Sequence, residues 1–352
     1  MEKNFSLREL NTFGFAVKVR YFQELKSMDD IHDLIKNPEF KQSRHLILSG
    51  GSNILFSSEF FDGFVVYPNL KGIETLEEND ETVKIRCYCG EVWKDFVDYT
   101  VSKGLYSLEN LADIPGKVGA APVQNIGAYG AEVKDTVYQV HTIDLGTGKT
   151  NVFSNEECQF SYRNSIFKTI KNTLIFAVDF VLKKHGELKL DYGNIRNYLI
   201  NNNISNPTIK DVAATVKAIR AEKLPEVGVL GSVGSFFQNA IVSEEKYLEL
   251  KTTYQDVPSY PVTAEQNEIP RCARNDNAVP QALVKIPTGW LIDRAGWKGY
   301  REGHVGVWDK QALVLVHYGG GKPQEILDLM KKIQESVYNK FGIEIKPEVN
   351  II

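Results

Sequence analysis

At 352 residues the chain is longer than one hydrophobic core usually supports, so two or three domains are expected. Hydrophobic residues at 43% and charged residues at 24% give the balance of a folded protein, and a net charge of -4 supplies no field that would draw nucleic acid or acidic lipid. No apolar run reaches bilayer length, Met1-Glu2-Lys3-Asn4 does not open a secretory signal, and the four cysteines and six histidines show neither a disulfide framework nor metal-ligand spacing. A cytoplasmic protein without a metal site, a nucleic-acid partner or a membrane partner is the expectation.

In chain order, His45-Leu46-Ile47-Leu48 reads as a short strand that ends at Ser49-Gly50-Gly51-Ser52-Asn53 and resumes at Ile54-Leu55-Phe56. Phe64-Val65-Val66-Tyr67 and Val83-Lys84-Ile85-Arg86-Cys87 read as further strands. Val92, Phe96 and Val101, with Trp93 and Val97, mark a helix over 91–103 that Gly104 closes. Strand character returns over 137–144 and 174–182. Thr208-Ile209-Lys210-Asp211 has capping-box spacing with Asp in the third place, and it opens a helix that stops near Pro225.

The main boundary is placed near Lys223, with expected domains 1–70, 71–222 and 223–352. Near the end, Ile326, Leu329, Ile333, Val337 and Phe341 line one face of an amphipathic helix closed by Gly342, and Ile343-Glu344-Ile345 is expected to follow as a short strand. The stretch 260–281 has no periodicity and reads as a surface loop or insertion, with a lid carrying Arg271 and Arg274 as the weaker alternative.

Two glycine-rich segments carry the first chemical signal. Ser49 to Asn53 can expose consecutive backbone N–H groups as an anion-binding nest, although a lone Gly-Gly is more often a tight turn. Neither G-x-G-x-x-G nor a Walker pattern is present, so a Rossmann site is not supported. Residues 114–130, Ile-Pro-Gly-Lys-Val-Gly-Ala-Ala-Pro-Val-Gln-Asn-Ile-Gly-Ala-Tyr-Gly, combine many small residues with two uncharged amides. Bare backbone admits a flat ligand, and Gln124 and Asn125 suit the edge of a heterocycle.

Together with Leu108-Glu109-Asn110-Leu111-Ala112, these segments resemble the UDP-N-acetylenolpyruvoylglucosamine reductases, and the similarity runs from Asn11-Thr12-Phe13-Gly14 to Glu348. The resemblance implies an α+β chain: an FAD-binding domain of the vanillyl-alcohol-oxidase/PCMH type, then a smaller α+β substrate-binding domain. It implies FAD held by Ser49, Gly50, Gly51, Ser52 and Asn53 at the pyrophosphate. Gly116, Gly119, Ala120, Gln124, Asn125 and Gly127 would line the flavin. NADPH and UDP-N-acetylglucosamine enolpyruvate are the implied small-molecule partners of a monomer active in peptidoglycan precursor synthesis.

Three later blocks are implied to carry the catalysis. Arg163, in Phe160-Ser161-Tyr162-Arg163-Asn164, would hold the substrate carboxylate; taken alone, such an arginine is more often a surface ion-pair partner. Ser235, preferred over Ser232 in Gly231-Ser232-Val233-Gly234-Ser235-Phe236-Phe237, would donate the proton, where the plain reading is a turn-capping hydroxyl. Glu348, in Lys346-Pro347-Glu348-Val349, would otherwise be a solvated carboxylate. Tyr129, Tyr192, Lys223 and Asn239 are the implied substrate contacts, with Tyr192 placing the chain in the subgroup whose tyrosine loop closes over substrate.

A different flavin oxidoreductase of this fold would not need the three blocks together, and a non-catalytic flavin binder would tolerate their loss. His304 and His317 read as ordinary packed or surface histidines. Gly319-Gly320-Gly321-Lys322 reads as a turn that starts a helix rather than a phosphate loop.

Overall fold

The computed structural model describes residues 1–226, 228–262 and 282–352. They divide into two compact units, with a junction between Glu222 and Lys223. The first holds Met1–Ser6, Lys18–Gly51 and Phe60–Glu222; the second holds Leu7–Val17, Ser52–Glu59 and Lys223–Ile352. Neither is a continuous stretch, because two short N-terminal segments belong with the C-terminal unit.

In the first unit a four-stranded sheet runs in the order Glu2–Ser6, Lys18–Leu25, Phe60–Pro68, His45–Ile47. The last three are mutually parallel. Between them the chain forms the helix Met28–Lys36, started by a capping box in which Ser27 Oγ accepts from the Asp30 N–H and Asp30 Oδ2 accepts from the Ser27 N–H. This helix buries Ile31 and Leu34.

A five-stranded antiparallel sheet follows, in the order Thr150–Ser154, Val137–Asp144, Thr173–Lys183, Thr82–Tyr88, Ile73–Glu78. Alternation along Thr82–Tyr88 sends Val83, Ile85 and Cys87 into the core. There they join Trp93 and Phe96 of the helix Trp93–Ser102 and Val212 and Val216 of the helix Ile209–Lys223. Thr208 and Asp211 form the expected cap on that second helix, with Asp211 Oδ2 accepting from the Thr208 N–H at 2.8 Å. The two sheets share a second cluster, in which Leu25, Phe64 and Val66 of one meet Ile143 and Leu174 of the other, with Cys89 between.

The opposite face of the long sheet carries a buried charge. Asp179, 3% exposed, accepts two hydrogen bonds from Arg86 at 2.8 and 2.9 Å and contacts His141 Nε2 at 2.8 Å, tying three adjacent strands. Burial pushes the Asp179 carboxyl up, but the bonds to His141 and Arg86 outweigh it and hold the group below the usual carboxylate range.

The second unit contains a sheet in the order Gly231–Ser235, Val314–His317, Val305–Val307, Arg301–Glu302 and a smaller one of Ala240–Ser243, Leu283–Ile286 and Tyr260–Pro261. The helix Pro323–Phe341 buries Ile326, Leu329, Ile333, Val337 and Phe341, and Gly342 ends it at φ +66°. Residues 319–322 are the turn before this helix, and at its start Glu325 Oε1 accepts from the Lys322 N–H at 2.8 Å.

One strand expectation is corrected. Residues 343–345 keep strand-like alternation, with Ile343 and Ile345 buried, but no strand among the described residues pairs with them, and the Ile345 carbonyl accepts from Gln334 Nε2 instead. The terminal strand is Asn350–Ile351, parallel to Ile54–Leu55. Tyr260 pairs with Lys285, while the proposed loop or lid, with Arg271 and Arg274, lies outside the described residues.

Replacing Asp179 with Ala leaves Arg86 and His141 without their shared acceptor. The expected loss is about 2–3 kcal/mol at neutral pH, below the value for a fully enclosed pair because Arg86 keeps some solvent. Since the native carboxyl titrates below its unfolded value, this stabilisation exists above about pH 4 and disappears as pH falls further. Thermal unfolding of both proteins against pH should therefore show a gap at neutral pH that closes in acid.

Candidate active site

The first glycine-rich segment leaves the strand His45–Ile47 and meets the second backbone to backbone. A Cβ on Gly50 would lie 2.7 Å from Gly116 Cα, and Gly116 itself sits at φ +119°. Only glycine tolerates both demands. Ser49 Oγ is buried there and has no hydrogen-bond partner among the described residues. The unit boundary falls between Gly51 and Ser52, so Ser52 and Asn53 belong to the second unit, where the Asn53 carbonyl accepts from the Asn350 N–H and side chain.

The second segment is fixed along its backbone. Gly116 O accepts from the Trp93 N–H at 3.0 Å, Val118 N–H donates to Glu91 O at 2.9 Å, and Gly119 N–H donates to Cys89 O at 3.1 Å. The glycines in it answer to different neighbours. A Cβ on Gly119 would strike Cys89 Cβ at 2.6 Å, so this glycine is required by the protein core. A Cβ on Gly127 would come within 3.1 Å of Arg163 Nη1 and 3.0 Å of Ala131 O. Ala120 and Gln124 are half-buried in the same stretch.

Asn125 is bonded within the protein. It is fully buried at φ +44°; its Nδ2 donates to Glu132 Oε2 and to Ser161 O, both at 3.0 Å, while its Oδ1 accepts from the Lys134 N–H. Its carboxamide is therefore spent inside the protein and braces the turn that carries Arg163. That turn is closed by paired Ser161 and Asn164 backbone bonds at 3.0 and 3.1 Å, with Tyr162 and Arg163 at its tip. Arg163 takes a left-handed φ of +54° and lays its guanidinium against Gly127. The structure thus brings the expected carboxylate-binding arginine to the glycine-rich wall.

Tyr129 and Tyr192 also come together. A Cβ on Gly130 would sit 3.2 Å from Tyr192 Cβ, and one on Gly193 would sit 3.1 Å from the Tyr129 ring. Asn110, to which sequence reading gave no role, joins these segments. Its Nδ2 donates to Tyr129 O at 2.9 Å and to Lys189 O at 2.8 Å. Its only prior signal was its place in the Leu-Glu-Asn-Leu-Ala block. A cavity of about 720 Å³ adjoins them, with Gly130, Leu188, Lys189 and Tyr192 in its lining.

In the second unit, Ser235 ends the strand Gly231–Ser235 after a register shift, with Gly234 at φ +73°. Such a bulge re-aims the following side chain, and Ser235 is exposed where its neighbours Phe236 and Phe237 are buried. Glu348 N–H donates to Phe236 O at 2.8 Å, and Gln238 N–H donates to Lys346 O, so the Pro-Glu-Val segment runs beside the serine's segment. Asn239 Oδ1 accepts from the Thr288 N–H at 3.2 Å at the start of the helix Thr288–Arg294. Lys223 is exposed at the end of its helix.

His317 is a packed histidine, donating from Nδ1 to Phe13 O and accepting at Nε2 from the Gly321 N–H. Burial pushes its pKa down. His304 pairs with Glu325 at the surface. Among the described residues no cluster of His, Cys, Asp and Glu could hold a metal ion, and no helix is long and apolar enough to cross a membrane.

Comparison with known proteins places these features. Residues 19–154 match the FAD binding domain family, and residues 225–352 match the C-terminal domain of UDP-N-acetylenolpyruvoylglucosamine reductase. The chain is 40% identical to the UDP-N-acetylenolpyruvoylglucosamine reductase of Flavobacterium johnsoniae, over 100% of this chain and 99% of that one. It is 42% identical to the Bacteroides fragilis enzyme of the same name, over the full length of both. The crystal structure of the Thermus caldophilus reductase superposes with a TM-score of 0.65 at 19% identity, over 99% of this chain and 97% of that one, which shows the shared fold.

The first unit suits FAD on its own chemistry. The Gly50–Gly116 approach leaves bare backbone on which a flat ring system can lie, and the buried Ser49 hydroxyl is available to a polar ligand atom. Gly50→Ala forces Gly116 away, since the clash is with backbone rather than a flexible side chain. FAD should bind at least about tenfold more weakly, which corresponds to about 1.4 kcal/mol. The ratio of flavin to protein absorbance in the purified variant, followed by titration with added FAD, measures it.

Proposed function

The chain belongs to the UDP-N-acetylenolpyruvoylglucosamine reductases, an FAD-dependent family, and from that premise we propose which of its residues carry the reaction. The substrate is UDP-N-acetylglucosamine enolpyruvate, the product UDP-N-acetylmuramate and the reductant NADPH. When bound, FAD supplies hydride transfer, from NADPH to the terminal carbon of the enolpyruvyl ether. The work of the protein is to hold the cofactor, to stabilise the charge that builds on the neighbouring carbon and its carboxylate, and to deliver one proton there.

Ser49, Gly50 and Gly51, continued by Ser52 and Asn53, hold the pyrophosphate; Gly116, Ala120, Gln124 and Gly127 form the wall beside the ring system. Gly119 and Asn125 serve this wall from behind, through Cys89 and through the Arg163 turn. Arg163 binds the carboxylate. The observation that carries the reading is that its guanidinium lies against Gly127 of the flavin wall, where a fixed cation is preorganised for developing negative charge.

Ser235 donates the proton to the carbon that bears the carboxylate, completing reduction of the double bond. A neutral hydroxyl is a weak acid in water, so its competence depends on a dry, polarising setting. Glu348, whose backbone is bonded beside the serine's segment, contributes as a protonated or hydrogen-bonded acid, since a bare carboxylate would repel the developing charge.

Tyr129 and Tyr192 close over the substrate, and Lys223 and Asn239 reach its nucleotide part. The Asn239 oxygen is engaged with Thr288, so its amide group makes that contact. Cys87, Cys89 and Cys158 are free and buried, which agrees with a reducing compartment such as the cytoplasm.

Ser235→Ala separates the half-reactions. NADPH should bleach the bound flavin at the normal rate, while reoxidation by the enolpyruvyl substrate slows about 10²- to 10⁴-fold. Stopped-flow absorbance at the flavin band reads both steps. A variant that keeps FAD but is no longer bleached by NADPH would remove Ser235 from the proton-donor role.

A further inference from the structure

We propose that Lys117 is a positioning residue for the flavin, a buried cation that ties the inside of the glycine-rich wall to the end of the strand Phe60–Pro68. The inference rests on the FAD reading and adds to it a residue whose side chain points away from the wall. Lys117 is 7% exposed. Its ammonium donates to Asn69 Oδ1 at 2.9 Å and to Pro68 O at 3.4 Å, and it stands 3.7 Å above the centre of the Tyr67 ring.

The anchor point is itself rigid. Asn69 Nδ2 donates to Glu24 Oε1 at 2.6 Å, its N–H donates to Leu25 O at 2.7 Å, and a Cβ on Gly90 would lie only 2.4 Å from its carbonyl carbon. On either side of Lys117 the main chain is bonded to residues 89–93. The lysine therefore supplies what those backbone bonds lack, a tether from the wall to the first sheet. That same sheet delivers Gly50 to its contact with Gly116.

An ammonium in this place is costly to bury, and a methionine would fill the same space without that cost. What the charge adds is directed donation and attraction to the Tyr67 ring. Burial, helped by Lys71, pushes Lys117 down to about 8, against the opposing pull of Cys89, Glu24 and Glu91. Those residues and Tyr67 are the titratable and charged groups around it; Lys71 and Glu91 pair with each other at 3.5 Å.

Because the native value lies below the unfolded one, folding is penalised by this proton at low pH, and the penalty is relieved as pH rises through about 8 toward about 10.5. The flavin anchor weakens over the same interval. Stability and FAD affinity should thus respond to Lys117 in opposite senses, which a lysine serving packing alone would not produce.

The test strips FAD from the full chain, then titrates FAD back by fluorescence quenching in wild type, Lys117→Met and Lys117→Gln, from about pH 6.5 to about pH 9.5. The Met variant is expected to bind about tenfold more weakly near neutral pH, with the ratio to wild type closing toward one at the alkaline end. Its apo thermal midpoint at neutral pH should equal or exceed that of wild type. A ratio of one throughout overturns the proposal, and so does a constant deficit, which would report lost packing rather than lost charge. Should the Met variant not fold, the Gln variant is read by the same two criteria. Failure of wild type itself to take up FAD would instead count against the flavin reading.

Discussion

The glycine-rich wall depends on a place where two backbones touch without side chains between them. Gly50, at the end of the strand His45–Ile47, approaches Gly116 so closely that a single added methyl would fall within 2.7 Å of the opposite Cα. One backbone issues from the mixed four-stranded sheet, and the other is held by the antiparallel five-stranded sheet and its helix. Their meeting is possible because the sheets already share a core, with Leu25, Phe64 and Val66 packed against Ile143 and Leu174. Hydrophobic burial brings the sheets together, and the paired glycines let the loops use that proximity. Neither would create the surface alone.

Holding such a surface in place is a separate problem, because a segment of small residues has few side chains to anchor it and much conformational entropy to lose. Here it is solved from behind. Main-chain bonds to residues 89–93 fix residues 116–119, the missing Cβ of Gly119 admits Cys89, and Asn125 spends its carboxamide on Glu132, Lys134 and Ser161. The Asn125 bond to Ser161 does further work, since the turn it braces presents Arg163 to Gly127. Wall and cation are thereby built as one object, and the arginine's position follows from the wall's own architecture.

Much of this was legible in the sequence, though unevenly. The strands at 83–87, 137–144 and 174–182 and the helices after Thr208 and before Gly342 could be read because each has a regular apolar period and chemical stops at its ends. The 343–345 segment shows where period misleads: alternation reports burial, and a buried extended segment bonded by Gln334 alternates as a strand does. At the site, the glycine-rich wall and Arg163 were readable as residues, but not the reason for each glycine. Gly119 and Gly127 look alike in sequence, and only three-dimensional neighbours separate a glycine that leaves room for Cys89 from one that leaves room for Arg163. Asn125 shows the same ambiguity, since an amide suited to a heterocycle is equally suited to a buried backbone carbonyl. The partners of Asn110 and Lys117 could not be read locally, because they lie tens of residues away.

The charges around this wall differ in a way that bears on how the enzyme meets changes of pH. A guanidinium is a fixed cation in general, which is why an arginine suits the carboxylate-holding role proposed for Arg163. Asp179, on the far face of the sheet, is held below the usual carboxylate range by His141 and Arg86 against the opposing effect of burial. Lys117 is the exception, since burial brings its titration to about 8, near the conditions of the cell. An arginine would have avoided that sensitivity, but its broad planar fork needs several acceptors in one plane, whereas the space over Tyr67 offers one ring and two oxygens at differing angles. A compact ammonium satisfies that geometry. On the proposal made for Lys117, the pH sensitivity of the glycine-rich wall is the consequence of fitting a cation to a small pocket, and it falls on a tether that no backbone bond duplicates among the described residues.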